Sequence, residues 1–206
     1  EGRTVSWLVE AGPQARALAL LAFGDALKPE AAAAVASLRR LGITTVLVTG
    51  DNRGAALAAG RLAGIDDVRA GVLPEEKAAV VAGLRGSHGA VAMVGDGIND
   101  APALAAADIG IAMGTGTDVA MHAAGITLMR GDLSLVADSL DISRRTYAKI
   151  RQNLFWAFVY NVVGVPLAAL GLLSPVIAGA AMALSSVSVV SNALLLARWK
   201  AGGGRR

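Results

Sequence analysis

Gly95-Asp96-Gly97-Ile98-Asn99-Asp100 follows the short apolar run Val91-Ala92-Met93-Val94 and precedes the alanine-rich stretch Ala101–Ala106. A β-branched run, a glycine turn and helix formers in that order describe a buried strand opening into a helix. Asp96 and Asp100 stand four residues apart around the turn, so both carboxylates can face one point. Such a pair suits Mg²⁺, which takes one or two protein carboxylates and completes its shell with water and phosphate oxygens. Gly95 and Gly97 let the backbone come close to a phosphoryl group, and Asn99 can donate to it.

Working outward, residues 1–140 alternate β-branched runs with alanine-rich stretches. The expected strands are Thr4–Val9, Arg16–Phe23, Thr44–Val48, Val91–Val94, Ile109–Ala112 and Ile126–Leu128. Between them fall the expected helices Pro29–Leu41, Arg53–Ala63, Glu75–Leu84 and Ala101–Ala106, with Pro29 and Pro74 placed where a first helical turn tolerates proline. Strand–helix alternation implies βαβ units and a largely parallel sheet, in which ligands bind beyond the carboxyl ends of the strands. The fold class expected is therefore α/β, a Rossmann-like parallel sheet. Thr49-Gly50-Asp51 also lies directly after a strand, and Thr49 offers a hydroxyl and backbone amides to phosphoryl oxygens. Lys77, near a helix start, can stabilise a transferring phosphoryl group by its charge. Taken alone, Thr49-Gly50-Asp51 suits an ordinary capped turn and Lys77 a solvated helix lysine. The three features in order, each at a strand end or helix start, point to a phosphoryl site.

The second half is of another kind. The chain is 54% hydrophobic and 17% charged, against about a quarter charged in ordinary soluble domains. No charged residue occurs between Arg151 and Arg198. Leu154–Leu173 and Val176–Ala197 are each long enough, at about 30 Å of helix, to span a bilayer, with Ser174-Pro175 between them. A two-helix transmembrane hairpin is expected over 153–198, led by a basic linker helix over 141–152 and followed by a flexible tail over 199–206. Arg144, Arg145, Lys149 and Arg151 at one end, and Arg198, Lys200, Arg205 and Arg206 at the other, place residues 1–152 and the tail on the cytoplasmic side of a multi-pass membrane protein. With 4% aromatics, the net charge of +3 does not read as a nucleic-acid surface. Absence of cysteine excludes disulfides and thiolate metal sites within these residues. The chain opens at Glu1 inside an expected strand, which suggests a piece of a longer polypeptide.

Thr49-Gly50-Asp51, the Pro-Glu-Glu-Lys segment ending at Lys77 and the run Gly95–Leu104 together resemble the phosphorylation domain of P-type ATPases, a branch of the haloacid dehalogenase superfamily. Asp25-Ala26-Leu27-Lys28-Pro29 and Gly114–Asp118 resemble further segments of that family, so the likeness covers essentially the whole chain. The resemblance implies Mg²⁺-site carboxylates at Asp96 and Asp100, phosphoryl contacts at Thr49 and Lys77, Asp51 as a neighbour of the site, and ATP as substrate of the intact protein. Members of the family carry a nucleophilic Asp in an Asp-Lys-Thr-Gly-Thr motif, and no Asp-Lys-Thr-Gly occurs here. The chain by itself is thus expected not to turn over ATP, and the upstream remainder of the same pump is its expected partner.

Tyr160-Asn161 in the first apolar stretch and Met182 and Ser186 in the second place polar or soft groups at bilayer depth, where they usually face a pathway. A thioether suits Cu(I) or Ag(I), whereas a Zn²⁺ path asks for a carboxylate that this region lacks. Met182, Ser185, Ser186, Ser188 and Ser191 also suit helix packing. Tyr-Asn and Met-x-x-Ser-Ser resemble the copper(I)-transporting heavy-metal P-type ATPases, which implies transported Cu(I) or Ag(I). Pro166 is expected to open the first span near Asn161. His88 and His122 read as ordinary residues, and Met93, Met113 and Met121 as core. Two alternatives stand beside an exporter: a stand-alone membrane-anchored Mg²⁺- or phosphate-binding module, and a pump for another heavy-metal ion such as Zn²⁺.

Overall fold

The computed structural model describes residues 3–12, 15–24, 26–114 and 118–201. Asp25, Thr115-Gly116-Thr117 and the tail from Gly202 to Arg206, on which some of the expectations above fall, lie outside the described residues. The chain divides into two units, Glu1–Ala137 and Asp138–Arg206.

The first unit opens with β1 (Thr4–Glu10) and β2 (Arg16–Phe23), which pair antiparallel with a register shift between Leu8 and Val9. This departs from a wholly parallel sheet. The connection over residues 11–15 is far shorter than the crossover of about a dozen residues that parallel neighbours require, so only a hairpin closes there. Then come α1 (Ala31–Arg40), β3 (Val46–Val48), α2 (Arg53–Ala63), β4 (Asp67–Arg69) and α3 (Pro74–His88). After them follow β5 (Ala92–Gly95), a 3₁₀ turn (Ile98–Asp100), α4 (Ala101–Ala106), β6 (Ile109–Met113), α5 (Asp118–Ala123) and β7 (Ile126–Leu128). Here the expected parallel pairing holds: β3 pairs with β4, and β5, β6 and β7 form a second parallel sheet in that order. Helical crossovers are what parallel strands demand.

Small side chains let the helices close onto these strands. Leu104, Ala112 and Ala120 form a buried core against which Met93, Met121, Ala123 and Ala124 pack, and Ile111 and Met113 are buried beside it. At Gly60 of α2 a Cβ would come within 2.5 Å of Val68 Cγ2, so only hydrogen there allows α2 to lie directly on β4. Asn52 caps α2 by accepting the Ala55 N–H at 3.0 Å, and Gly64 ends it at φ 76°. Pro74 begins α3, and Glu76 Oε2 accepts the Leu73 N–H at 3.0 Å.

Asp108 fastens the end of α3 to the sheet. Its carboxylate accepts the Val91 N–H at 2.9 Å and pairs with Arg85 at 2.7 Å, while Arg85 also reaches the Ala106 carbonyl at 3.2 Å. The Val91 N–H, and after it the Arg85 guanidinium, hold the Asp108 carboxyl below its ordinary value of 3.8, outweighing desolvation.

In the second unit, the basic linker and the first apolar stretch form one continuous helix, α6 (Ser134–Ala169), whose first residues belong to the first unit. The sequence suggests a boundary near Asn153 because hydropathy changes there, but backbone hydrogen bonding is indifferent to that change. Ser174 then caps α7 (Pro175–Leu194), accepting the Ile177 N–H at 3.3 Å, and a 3₁₀ turn runs over Leu195–Arg198. Among the described residues, Pro175–Arg198 is the one helix long and apolar enough to cross a membrane. The expected first span ends as helix at Ala169, and Asn153, Tyr160, Asn161 and Pro166 lower its apolar character. Polar bonds tie α6 to α7: Lys149 Nζ donates to Asn192 Oδ1 at 2.7 Å, and Asn192 Nδ2 donates to Asn153 Oδ1 at 2.8 Å. Beyond α7, the Trp199 indole donates to Asp141 at 2.8 Å.

The Asp108 clasp predicts a signed pH dependence. A carboxyl stabilised as its anion in the folded chain contributes fully above 3.8 and loses that contribution as pH falls through its lower folded value. Asp108→Ala should lower the urea midpoint at pH 7, and the gap to the parent chain should close in acid below 3.8. A gap that persists unchanged in strong acid assigns the loss to packing instead.

Candidate functional site

The site lies at the carboxyl ends of β3 and β5, where a parallel sheet leaves backbone groups open. Thr49 leaves β3 with its N–H on the Arg69 carbonyl at 3.0 Å. Its hydroxyl donates to Asp51 Oδ2 at 2.9 Å and accepts the Asp51 N–H at 3.1 Å. The Gly71 N–H reaches the Asp51 carbonyl at 2.9 Å, and the Val72 N–H reaches that of Thr49 at 3.0 Å. The Thr49-Gly50-Asp51 loop is thereby stitched to residues 69–72, which run straight into the capped start of α3. That connection places Lys77 one turn into α3, its N–H on the Leu73 carbonyl at 3.2 Å.

Lys77 Nζ meets Asp100 Oδ1 at 2.8 Å, with only 17% and 13% of the two side chains exposed. The Gly97 N–H donates to the other carboxylate oxygen at 3.3 Å. Asp100 is aimed this way because it lies across Gly95, where a Cβ would stand 2.7 Å from the Asp100 Cβ. Asp96 and Asn99 are exposed on the same turn. Of the phosphoryl-site residues expected, Asp100 thus touches Lys77, Gly95 and Gly97, and Thr49, Gly50 and Asp51 form the loop that is stitched to the lead-in of α3.

The donor set bears on whether a cation fits. No group of three or more His, Cys, Asp or Glu that could hold a metal occurs among the described residues. Two carboxylates around a glycine turn remain, and each ionised oxygen of Asp100 keeps a further lone pair beyond its bond to Lys77 or Gly97. Such a set suits Mg²⁺ that takes most of its shell from water and phosphate, and it does not suit a closed protein cage. A cation, a hydroxyl, two carboxylates and close backbone amides are the groups needed to hold a phosphoryl anion with its counter-ion.

In the helical unit, the Ser186 hydroxyl donates to the Met182 carbonyl at 3.2 Å, so these two share a face of α7, with Met182 73% exposed. Tyr160 instead meets Ser188 at 3.5 Å, and Asn161 Nδ2 donates to the Ala157 carbonyl of its own helix at 2.7 Å. Met182 and Ser186 therefore stand together, while Tyr160 and Asn161 find other partners. Sequence reasoning took Lys149 only as part of the basic flank and did not single out Asn153, Asn192 or Trp199. The signal available was two asparagines in otherwise apolar helices, which seek partners there.

Comparison with known proteins adds to this geometry. A family model described as haloacid dehalogenase-like hydrolase matches residues 1–108. A copper-exporting P-type ATPase of Staphylococcus haemolyticus (strain JCSC1435) is 54% identical over 200 residues, 97% of this chain and 25% of that protein. One of Bacillus subtilis (strain 168) is 55% identical over the same shares. The chain spans about a quarter of the length of these curated relatives. Among solved structures, a zinc-transporting PIB-type ATPase in its E2.Pi state superposes with a TM-score of 0.82 at 39% identity, covering 96% of this chain and 32% of the other.

The packing of Asp100 on Gly95 is open to a direct check. Gly95→Ala should cost about 1–3 kcal/mol in urea unfolding, as overpacking does. Gly97→Ala, whose Cβ would stand 3.5 Å from Asp100 Oδ2, should cost clearly less. Equal losses would show that Asp100 is not seated against Gly95.

Proposed function

The chain belongs to the haloacid dehalogenase-like hydrolases, and we propose that it is the C-terminal part of an ATP-driven copper(I)/silver(I) exporter of the P-type. In this reading residues 1–140 belong to the phosphorylation domain, 141–152 lead to the membrane, and two helices within 153–198 cross it. The observation that carries the reading is the Lys77–Asp100 pair at 2.8 Å beside the Gly95-Asp96-Gly97 turn. It sets a cation and a Mg²⁺-type carboxylate within one contact of each other at the carboxyl end of a parallel strand.

Asp96 and Asp100 would hold Mg²⁺, which supplies charge neutralisation for a transferring phosphoryl group. Lys77 adds a fixed positive charge to the phosphoryl oxygens, already anchored by Asp100 and so costing little reorganisation. Thr49 would offer the same oxygens the loop amides and, on swinging its hydroxyl proton away from Asp51 Oδ2, where it donates at 2.9 Å in the resting loop, that hydroxyl as well. Gly50, Gly95 and Gly97 allow close approach, and Asn99 donates from the exposed side of the turn. The acceptor aspartate comes from elsewhere in the intact pump, since no Asp-Lys-Thr-Gly occurs in these residues.

Cargo is read from the helical unit. Met182 and Ser186 on one face of α7 supply a soft and a neutral donor to the ion path, Tyr160 and Asn161 of α6 would join them only on leaving Ser188 and the Ala157 carbonyl, and no carboxylate lies between Arg151 and Arg198. That donor set favours Cu(I) or Ag(I) over Zn²⁺. The curated relatives at 54% and 55% identity carry copper in their names. A zinc pump is the second reading, favoured by the solved zinc transporter at 39% identity.

In the intact pump, Lys77→Ala should lower ATP turnover by about 10²–10³-fold, the usual worth of one electrostatic contact to the reacting group. Met182→Ala should abolish stimulation by Cu(I) and Ag(I) while the α/β unit unfolds as before. Stimulation by Zn²⁺ alone, untouched by Met182→Ala, transfers the assignment to the zinc reading. Turnover that survives Lys77→Ala removes this site from the phosphoryl chemistry.

A further inference from the structure

We propose that Arg151, Gln152, Phe155 and Trp156 of α6 form a binding site for one anionic phospholipid on the cytoplasmic side of the membrane. The inference rests on the reading of the helical unit as membrane-embedded.

Ala148, Arg151, Gln152, Phe155 and Trp156 recur at the spacing that puts residues on one helix face, and they line a cleft of about 580 Å³. The stripe is ordered along the helix axis. A guanidinium and an amide stand at the end nearer the basic segment, and two aromatic rings in edge-to-face contact at 5.6 Å stand a turn further into the apolar segment. A phospholipid has the same order, a charged phosphodiester followed by acyl chain.

Depth can be read from the polar bonds between the helices. Asn192 bonds both Lys149 and Asn153, so residues 149–153 lie level with it. Asn192 precedes Arg198, the end of the apolar span, by six residues, about 9 Å of helix. Arg151 thus sits below the end of the span, where a bare cation is costly and reaches for the headgroup layer.

Its neighbours leave it for an external anion. Lys149 is satisfied by Asn192 and Gln152. Asp141, the last acidic residue of the chain, is taken by Trp199 at 2.8 Å and Arg145 at 2.7 Å. No hydrogen bond or ion pair engages the Arg151 guanidinium among the described residues. A phosphodiester matches its planar fork in two parallel bonds. Arg144, Arg145, Lys149, Arg198 and Lys200 set against Asp138 and Asp141 select a net negative headgroup over a zwitterionic one.

The test uses the protein at its natural length, extracted from bilayers of phosphatidylcholine with phosphatidylglycerol, with retained lipids counted by native mass spectrometry. Retained phosphatidylglycerol is expected, falling about fivefold in Arg151→Gln, one basic residue's worth at an anionic surface. Arg151→Lys should keep most of it, and Arg40→Gln, outside the helical unit, should match the parent. Trp156→Ala should reduce retention of both lipids. Equal retention in Arg151→Gln and the parent, with the protein resistant to alkaline carbonate extraction, overturns the lipid site and leaves membrane embedding intact; so does another helix of the pump covering the stripe, which gives no bound lipid at all. Release of the protein by carbonate overturns the membrane reading itself, and the lipid site with it.

Discussion

Asp100 can reach Lys77 only because residue 95 has no side chain. With the Asp100 Cβ laid where a Cβ of residue 95 would stand, the carboxylate is committed to one direction, and the Gly97 N–H holds its second oxygen. Lys77 arrives at the same place from the other half of the unit. Its helix starts at Pro74, after residues 69–72 that are hydrogen-bonded along the Thr49-Gly50-Asp51 loop. The described β3–β4 and β5–β6–β7 sheets share no strand pairing. The Lys77–Asp100 pair is therefore a contact that carries the geometry of one sheet end to the other. Its partial burial gives it more weight than a surface ion pair, since water screens it less.

How much of this was legible depended on what each element spends its side chains on. Strands that alternate or cluster β-branched residues, such as Val46–Val48 and Ile109–Met113, announce themselves, and so do helices with a proline start and a glycine stop. β4 was not legible: Asp67-Val68-Arg69 reads as a polar turn, and it becomes a strand only because Gly60 lets α2 press on Val68. α5, directly after the glycine–threonine loop, carries too few residues to show a period. The antiparallel closure of β1 on β2 follows from the length of the connection, which outweighs the βαβ rhythm of the rest. At the site, the residue types were readable from spacing, but the partner of each was not. Spacing places Asp96 and Asp100 on one turn without saying that Asp100 turns to Lys77 while Asp96 stays exposed.

The helical unit was harder to read for a related reason. Apolar side chains against apolar surroundings give helices little preference for register, so the few polar groups decide it. Asn153 and Asn192 in otherwise apolar helices look like blemishes in sequence, yet with Lys149 they form the chain of donors and acceptors that aligns α6 with α7. Asp141 does the same for the end of the chain. The Trp199 indole, and then Arg145, hold its carboxyl below the ordinary value of 3.8, so it stays ionised and keeps its partners throughout the neutral range.

That alignment bears on the proposed ion path. With Asn192 bonded to residues 149 and 153, α7 presents Ser188 to Tyr160 and turns Met182 and Ser186 to another face. Met182 is 73% exposed on an apolar helix, so most of its thioether side chain is left uncovered by the described chain. The same face carries a hydroxyl one turn away that is already bonded to its own backbone and so costs little to leave in apolar surroundings. In the proposed path these two donors would suit a soft cation that takes its remaining ligands elsewhere in the pump. A carboxylate here would instead have interrupted the apolar run that makes Pro175–Arg198 long and apolar enough to cross a membrane.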